Sequence, residues 1–135
     1  MMEGDSMSAS DPLLAPMTGT DHREVAGVHL DIAKAGIGRV KRVVYPVGFR
    51  WDTHMKPISG TSHCMHTHVG FIARGRVQVR YEDGCMADFA APAAFVIEPG
   101  HEGWVVGDEP AVMIEFDFES ETEARFGLPG RHTHG

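Results

Sequence analysis

Basic residues and long apolar runs are scarce in this sequence. Its 135 residues include 12 lysines and arginines against 19 acidic residues, which gives a formal net charge of −7. Nucleic acids and anionic membranes are bound through basic patches, so we expect neither as a partner. No apolar run approaches the roughly 18 residues that a membrane-spanning helix needs. The first residues also lack the basic and apolar regions of a signal peptide.

Cysteine is rare as well, and several enzyme motifs are missing. The two cysteines, Cys64 and Cys85, are too few for a disulfide framework in a chain of this size. Together with the missing signal peptide, this predicts a cytoplasmic protein. The sequence contains no nucleophile elbow, no P-loop and no dinucleotide-binding fingerprint. What remains is a single acidic domain, large enough for one core.

Strand-like alternation begins at Val28 and recurs to the end of the domain. Val28, Leu30 and Ile32 alternate with more polar neighbours, and the run from Ala111 to Phe118 has the same period. Turn residues separate the runs, with Asp83-Gly84 as the strongest hairpin signal. Further strands are predicted at residues 40–45, 49–54, 61–68, 71–74, 76–82, 85–90, 95–97 and 104–107. About ten short strands without a confident helix indicate an all-β fold, a jelly-roll barrel or a sandwich.

The two ends of the chain lack this alternation. Residues 1–27 carry no apolar period and are predicted to form a flexible N-terminal arm with at most one short turn. Residues 28–118 are predicted to form the barrel. Residues 119–135 form a tail that could begin as a helical turn and that ends with His132 and His134, which we expect to be solvated.

A thiol and two imidazoles alternate in the middle of the chain. Cys64, His66 and His68 would share one face of a regular strand, because alternate side chains in a strand point the same way. Thiolates and neutral imidazoles are ligands for zinc, iron, nickel and copper. His54 ends a predicted strand where chain order would bring it near the same mouth of the barrel. The pattern therefore indicates a ligand or metal pocket.

The segment from Thr61 to Asp117 resembles the conserved barrel of the small single-domain cupins. The residues that carry the resemblance are His66-Thr67-His68, Phe71-Ile72-Ala73-Arg74-Gly75, Asp83-Gly84 and Ile97-Glu98-Pro99-Gly100-His101. Residues 103–110 are similar to a subgroup of uncharacterised cupins. The resemblance implies a double-stranded β-helix (jelly roll) of six to eight strands, often dimeric, with a pocket in the barrel mouth that holds one divalent metal in many members.

The sequence departs from the usual cupin motifs at the ligand positions. When the first motif is anchored on Gly75, its two histidine positions fall on Ser62 and Cys64, and its glutamate position falls on His68. The histidine position of the second motif falls on Gly103, whereas His101 stands two residues earlier. The family ligand set is therefore not carried over whole. The candidate metal ligands are His54, Cys64, His66, His68 and His101, for zinc, iron, nickel or manganese.

Two functions remain open from the sequence. The first is a metal-dependent enzyme of oxygenase, isomerase or lyase type that acts on a small organic substrate, in which His66 and His68 hold the ion together with Cys64, His101 or His54. The candidate catalytic residues are His68 and His101. The second is a metal-free, non-catalytic cupin that binds a small molecule or serves as a sensor. Without a metal, the two histidines could still form an acid–base pair, because imidazole titrates near neutral pH. A homodimer, formed through an edge strand or the N-terminal arm, is expected in either case.

Overall fold

The structure is a computed structural model, and it describes residues 11–129. This range contains nine strands: β1 (Asp21–Val25), β2 (Val28–Ala35), β3 (Gly38–Tyr45), β4 (His68–Arg74), β5 (Arg76–Tyr81), β6 (Met86–Ala90), β7 (Ala93–Ile97), β8 (His101–Val105) and β9 (Ala111–Asp117). It also contains four short helical segments: α1 (Trp51–His54), α2 (Lys56–Ser59), a 3-10 helix (Glu119–Glu121) and α3 (Thr122–Phe126). None of these helices has the length and apolar character needed to cross a membrane.

The strands form two antiparallel sheets, as the all-β prediction required. The larger sheet has the strand order β1-β2-β3-β9-β4-β7, and the smaller has the order β6-β5-β8. Buried side chains from both sheets form the core, including Val43, Ile72, Val79 and Met113. Apolar and polar residues alternate along the strands because one face of each sheet meets this core while the other faces outward.

The hairpin predicted at Asp83-Gly84 is confirmed. Strands β5 and β6 pair from Arg76↔Ala90 to Arg80↔Met86. The connection is four residues long, Glu82 to Cys85, rather than a two-residue turn. Gly84 supplies the left-handed backbone in this loop, with φ +87, a conformation that only glycine adopts at little cost.

The strand predicted at residues 49–54 is wrong. Helix α1 begins at Trp51, and the peptide N–H groups of His54 and Met55 donate to carbonyls four residues earlier, at 2.9 Å. Phe49 and Trp51 suggested a strand because they are two residues apart. Trp51 in the helix and Phe49 just before it are both buried, at 7% and 5% exposure, and the helix satisfies its own backbone locally.

The strand predicted at residues 61–68 is also wrong, because β4 begins only at His68. The preceding residues are irregular, and Cys64 forms an isolated antiparallel bridge with His101. A regular strand would have placed Cys64, His66 and His68 on one face. The bridge instead places Cys64 at the start of β8, where the second cupin-like motif lies.

The segment predicted as an arm contains one strand. Residues 21–25 form β1, which pairs with β2 as the edge of the larger sheet. Four of its five residues are exposed, so it has no apolar period that could reveal it. Residues 1–10 and 130–135 lie outside the described range, as do His132 and His134. The helical turn expected at the start of the C-terminal tail is confirmed by α3.

Two large apolar residues lie on the outer face of the larger sheet. Val96 is 43% exposed and Phe116 is 39% exposed. The apolar period of residues 111–118 predicts that the alternating apolar side chains of β9 face inward. Their neighbours Met113, Glu115 and Asp117 face the interior instead.

Candidate metal centre

The backbone bridge between Cys64 and His101 assembles the site. The peptide N–H of Cys64 donates to the His101 carbonyl at 2.6 Å, and the Gly100 N–H donates to the Cys64 carbonyl at 2.8 Å. Cys64 and His101 are both buried, at 9% and 5% exposure. Two segments that are distant in sequence are therefore held side by side by main-chain bonds.

His68 enters from the other sheet. It is the first residue of β4, and its ring meets the His101 ring at a centroid distance of 5.1 Å. Its Nε2 lies 3.7 Å from the Cys64 sulfur. Its Nδ1 lies 2.9 Å from Oε1 of Glu115. The Glu115 carboxylate accepts the proton of Nδ1, so Nε2 is the ring nitrogen that faces the thiol.

The other histidine of the group is held in a similar way. His101 Nδ1 lies 2.6 Å from the carbonyl oxygen of Glu98, which can only accept a hydrogen bond. This places the proton on Nδ1 and leaves Nε2 as the free ligand nitrogen. One ligand atom each from Cys64, His68 and His101 lies within 4.8 Å of the other two.

The remaining candidate ligands lie outside this group of three. His66 is exposed, although its Nδ1 is 3.8 Å from the Cys64 sulfur. The structure does not bring His54 into the group, because its Nδ1 contacts the backbone of Arg50 at 3.0 Å and its ring stacks on Phe49. Ser62, which the first motif placed at a histidine position, is exposed and contacts His63.

His101 stands two residues before the expected motif position for a simple reason. Residues two apart in a strand share a face, so His101 and Gly103 both line the interior at the start of β8. Gly103 has no side chain to offer as a ligand. His101, two residues earlier on the same face, supplies an imidazole instead.

The pKa values of Cys64 and His68 are both shifted, and they shift in opposite directions. Burial alone would raise the pKa of Cys64, but hydrogen bonds from His101, His66 and His68 outweigh it and lower the pKa to about 3. Burial would lower the pKa of His68, but the charges of Glu115 and Cys64 raise it to about 10. The group therefore favours a thiolate, which is the form of cysteine that binds metals.

Sequence reasoning missed Glu115 and its neighbours. Glu115 is 2% exposed, and burial would raise its pKa, but the charge and hydrogen bond of His68 lower it. Lys41 Nζ lies 3.8 Å from its Oε1 and 2.8 Å from Oδ2 of Asp117. Arg39 adds a two-point contact to Asp117 at 2.7 and 2.9 Å. The signal in the sequence was the pair of acidic residues two positions apart in β9, Glu115 and Asp117.

Asp117 is expected to make folding sensitive to acid. Burial would raise its pKa, but hydrogen bonds from Arg39 and Lys41 outweigh it and lower the pKa to about 2. A lowered pKa stabilises the fold above the unfolded-state value near 4 and loses this effect as the pH falls through 2. We therefore expect Asp117 to contribute about 2 kcal/mol to the free energy of unfolding at pH 7.

Urea unfolding at several pH values tests this expectation. Asp117→Asn should be less stable than the wild type at pH 7, and the difference should shrink between pH 4 and pH 2. Asp21→Asn is the matched control, because Asp21 is exposed on the edge strand β1. A difference that stays constant across this pH range would contradict the assignment.

A cavity of about 910 Å³ adjoins the three potential ligands. Its walls are largely apolar and include Leu30, Tyr45, Trp51 and Met113. Trp51 is therefore buried against the cavity, at 7% exposure. Met55, Met65 and Trp104 also line the cavity without filling it, while Phe71 lies 43% exposed. The space is large enough for a small organic molecule.

No family model and no curated protein matches this sequence. Among solved structures, a cupin 2 conserved barrel domain protein from Salinispora arenicola aligns over 83% of this chain and 92% of its own, with 17% identity and a TM-score of 0.53. KdgF from Halomonas sp. aligns over 71% of this chain and 83% of its own, with 18% identity and a TM-score of 0.51. Hydroxypropylphosphonic acid epoxidase from S. wedmorenis, in complex with fosfomycin, gives 9% identity and a TM-score of 0.51 over 75% of this chain and 56% of its own.

These similarities establish the architecture. The chain has the fold of a small cupin barrel, as the resemblance of residues 61–117 implied. At identities below 20% they show the fold alone, and the same barrel can serve unrelated functions. Function therefore has to be argued from the residues around the cavity.

Proposed function

We propose that this chain binds one divalent transition metal through Cys64, His68 and His101 and acts on a small organic molecule in the adjoining cavity. The observation that carries the proposal is the convergence of three ligand atoms, within 4.8 Å of one another, on the wall of that cavity. Three protein ligands beside an open cavity are typical of catalytic rather than structural metal sites. The oxygenase, isomerase and lyase classes expected from the sequence all remain compatible with this arrangement.

The donor set fits a metal of borderline softness. One thiolate and two imidazoles suit zinc, iron, nickel or copper better than manganese, magnesium or calcium. The second nitrogen of each histidine already bonds to a protein oxygen, of Glu115 or of Glu98. Such outer partners orient metal-binding imidazoles. A bound metal would supply Lewis-acid chemistry at a substrate oxygen or a water molecule.

The protein residues around the site would bind and orient the substrate. The apolar wall formed by Leu30, Tyr45 and Met113 would exclude water from the site. Glu115 and the Glu98 carbonyl would hold each Nδ1 proton of His68 and His101, so both Nε2 atoms stay directed inward. The fosfomycin complex of the S. wedmorenis epoxidase supports a small-molecule role for a cavity of this fold.

A second candidate is supported by one specific observation. Cys64, His68 and Glu115 already form a continuous chain of contacts, at 3.7 and 2.9 Å, that needs no metal to balance its charge. A thiolate paired with an imidazolium would suit a metal-free barrel that binds or senses a small molecule. Metal content distinguishes this candidate from the first.

The metal proposal predicts that His101→Ala loses bound metal while His54→Ala keeps it. Each protein is purified without a histidine tag, dialysed against limiting zinc, and analysed by mass spectrometry for metal per chain. The wild type and His54→Ala should hold about one zinc each, because His54 lies outside the group of three. His101→Ala should retain its circular dichroism spectrum with little zinc. Equal zinc in all three proteins, or none in the wild type, would overturn the proposal.

A further inference from the structure

We propose that Oε2 of Glu115 is the acceptor that binds a hydrogen-bond donor on the small molecule held in the cavity. The inference rests on the proposed function, since it assigns a substrate class to the same cavity. That class is a small organic molecule that carries an N–H or O–H donor.

The two oxygens of Glu115 have different surroundings. Oε1 receives the His68 Nδ1 proton at 2.9 Å and lies 3.8 Å from Lys41 Nζ. Oε2 is buried and has no hydrogen-bond partner among residues 11–129. Leaving a buried carboxylate oxygen unbonded costs free energy, and buried polar groups in folded proteins are nearly always paired. Glu115 lines the cavity, so a ligand that displaces the atoms covering Oε2 can supply the missing donor.

The next inward residue of the same strand shows that the arrangement is specific. Asp117 is also buried, at 6% exposure, but Arg39 and Lys41 together occupy both of its oxygens. The protein therefore supplies enough cations to saturate one carboxylate of β9 and leaves one oxygen of the other open. This difference points to Glu115 as the binding residue.

A second polar atom of the cavity is also unpartnered. Thr67 is 6% exposed, it precedes His68, and its Oγ1 has no hydrogen-bond partner in the described range. Both Thr67 and Glu115 line the cavity, whose walls combine apolar residues such as Leu30 and Tyr45 with charged and polar ones. A cavity with apolar walls and a few convergent polar groups is the usual form of a site for a small organic molecule.

The chemistry of the carboxylate decides which polar group it accepts. An ionised carboxylate only accepts hydrogen bonds, so an ether or carbonyl oxygen would place lone pairs against it. Sites built to bond a ligand N–H or O–H reject analogues that lack it. The cavity should therefore prefer a donor over a molecule of the same shape without one.

Indole and benzofuran are suitable probes, because they share a shape and differ at one position. Indole offers an N–H donor there, whereas benzofuran offers an oxygen. Dissociation constants are measured by NMR titration of the full-length protein, both zinc-loaded and metal-depleted. We expect the wild type to bind indole about tenfold more tightly than benzofuran, the effect of one hydrogen bond to a charged group.

Two variants test whether Glu115 is responsible. Glu115→Gln keeps the side-chain size and can still accept the His68 proton, but it places an amide donor where Oε2 was. The ratio of the dissociation constants of benzofuran and indole should therefore fall to about one. Glu123→Gln is the matched control, because Glu123 is a half-buried acid on the same cavity wall. It should keep the wild-type ratio.

Three results would overturn the inference: equal binding of both probes by the wild type, binding of neither, or a preference for indole that survives in Glu115→Gln. The first would mean that the ligand does not bond to Oε2. The indole preference can be measured in metal-depleted protein. A failure of the metal proposal, recorded by zinc content, is therefore distinguishable from a failure of this one.

Discussion

Replacing Cys64 by serine is expected to weaken metal binding by more than about 100-fold. Loss of an outer partner of a metal ligand costs about 10- to 100-fold in affinity, and Cys64 is proposed as a direct ligand. Its sulfur lies 3.7 Å from His68 Nε2, and its low pKa makes it a thiolate at neutral pH. A serine hydroxyl stays protonated there and is a poor ligand.

Cobalt substitution makes the loss visible. Cobalt bound to a thiolate absorbs in the near ultraviolet through charge transfer from sulfur, and this band should be absent from Cys64→Ser. Cys85→Ser is the matched control, because Cys85 is half-buried and lies outside the group of three. It should keep both the band and the wild-type zinc affinity. A sulfur band that persists in Cys64→Ser would exclude Cys64 as the ligand.

Replacing Gly70 by alanine is expected to destabilise the barrel by about 3 kcal/mol, the upper part of the usual range for overpacking. A methyl group at Gly70 would lie 1.8 Å from the Ile114 carbonyl oxygen and 2.9 Å from the Glu115 Cα. Both are main-chain atoms of β9, so the contact cannot be relieved by a side-chain rotation. The two strands would have to separate.

The same substitution should disturb the site. Gly70 is the register partner of Glu115, so the close approach at this glycine also brings Glu115 to His68. Thermal and urea unfolding measure the stability loss, and zinc affinity measures the effect on the site. Gly103→Ala in β8 is the matched comparison, since its methyl would lie 3.2 Å from the nearest atom. Equal, small losses for both variants would contradict this account of Gly70.

Alternation in the sequence predicted most of the sheet because burial on one face acts directly on residue type. Strands β2, β3, β5 and β9 all overlap predicted runs, and β5 and β9 lie entirely within them. Alternation failed as a predictor at residues 61–67, where the chain is held by the main-chain bridge at Cys64 and not by a strand. Main-chain hydrogen bonds leave no trace in side-chain pattern. Strand β1 was missed because it is an exposed edge strand, held by main-chain hydrogen bonds without an apolar pattern of its own.

The candidate site was predicted in part. Cys64, His68 and His101 were all proposed as ligands, and the structure brings them together. Their placement did not follow from the regular strand used to predict it. Glu115 was missed because β9 was oriented by its apolar residues, Ile114 and Phe116. The larger sheet places that apolar face outward and turns the charged face toward the cavity, where ion pairs compensate the buried charge.

The bridge between Cys64 and His101 has a thermodynamic consequence. It joins ligands that are distant in the sequence, so the unfolded chain does not hold them together. A metal bound as proposed would therefore bind the folded state alone. Its binding free energy would then add to the stability of the fold, by about 2.7 kcal/mol at a free metal concentration 100 times the dissociation constant. The irregular segment that carries Cys64, which has no sheet of its own, would become one of the most firmly held parts of the barrel.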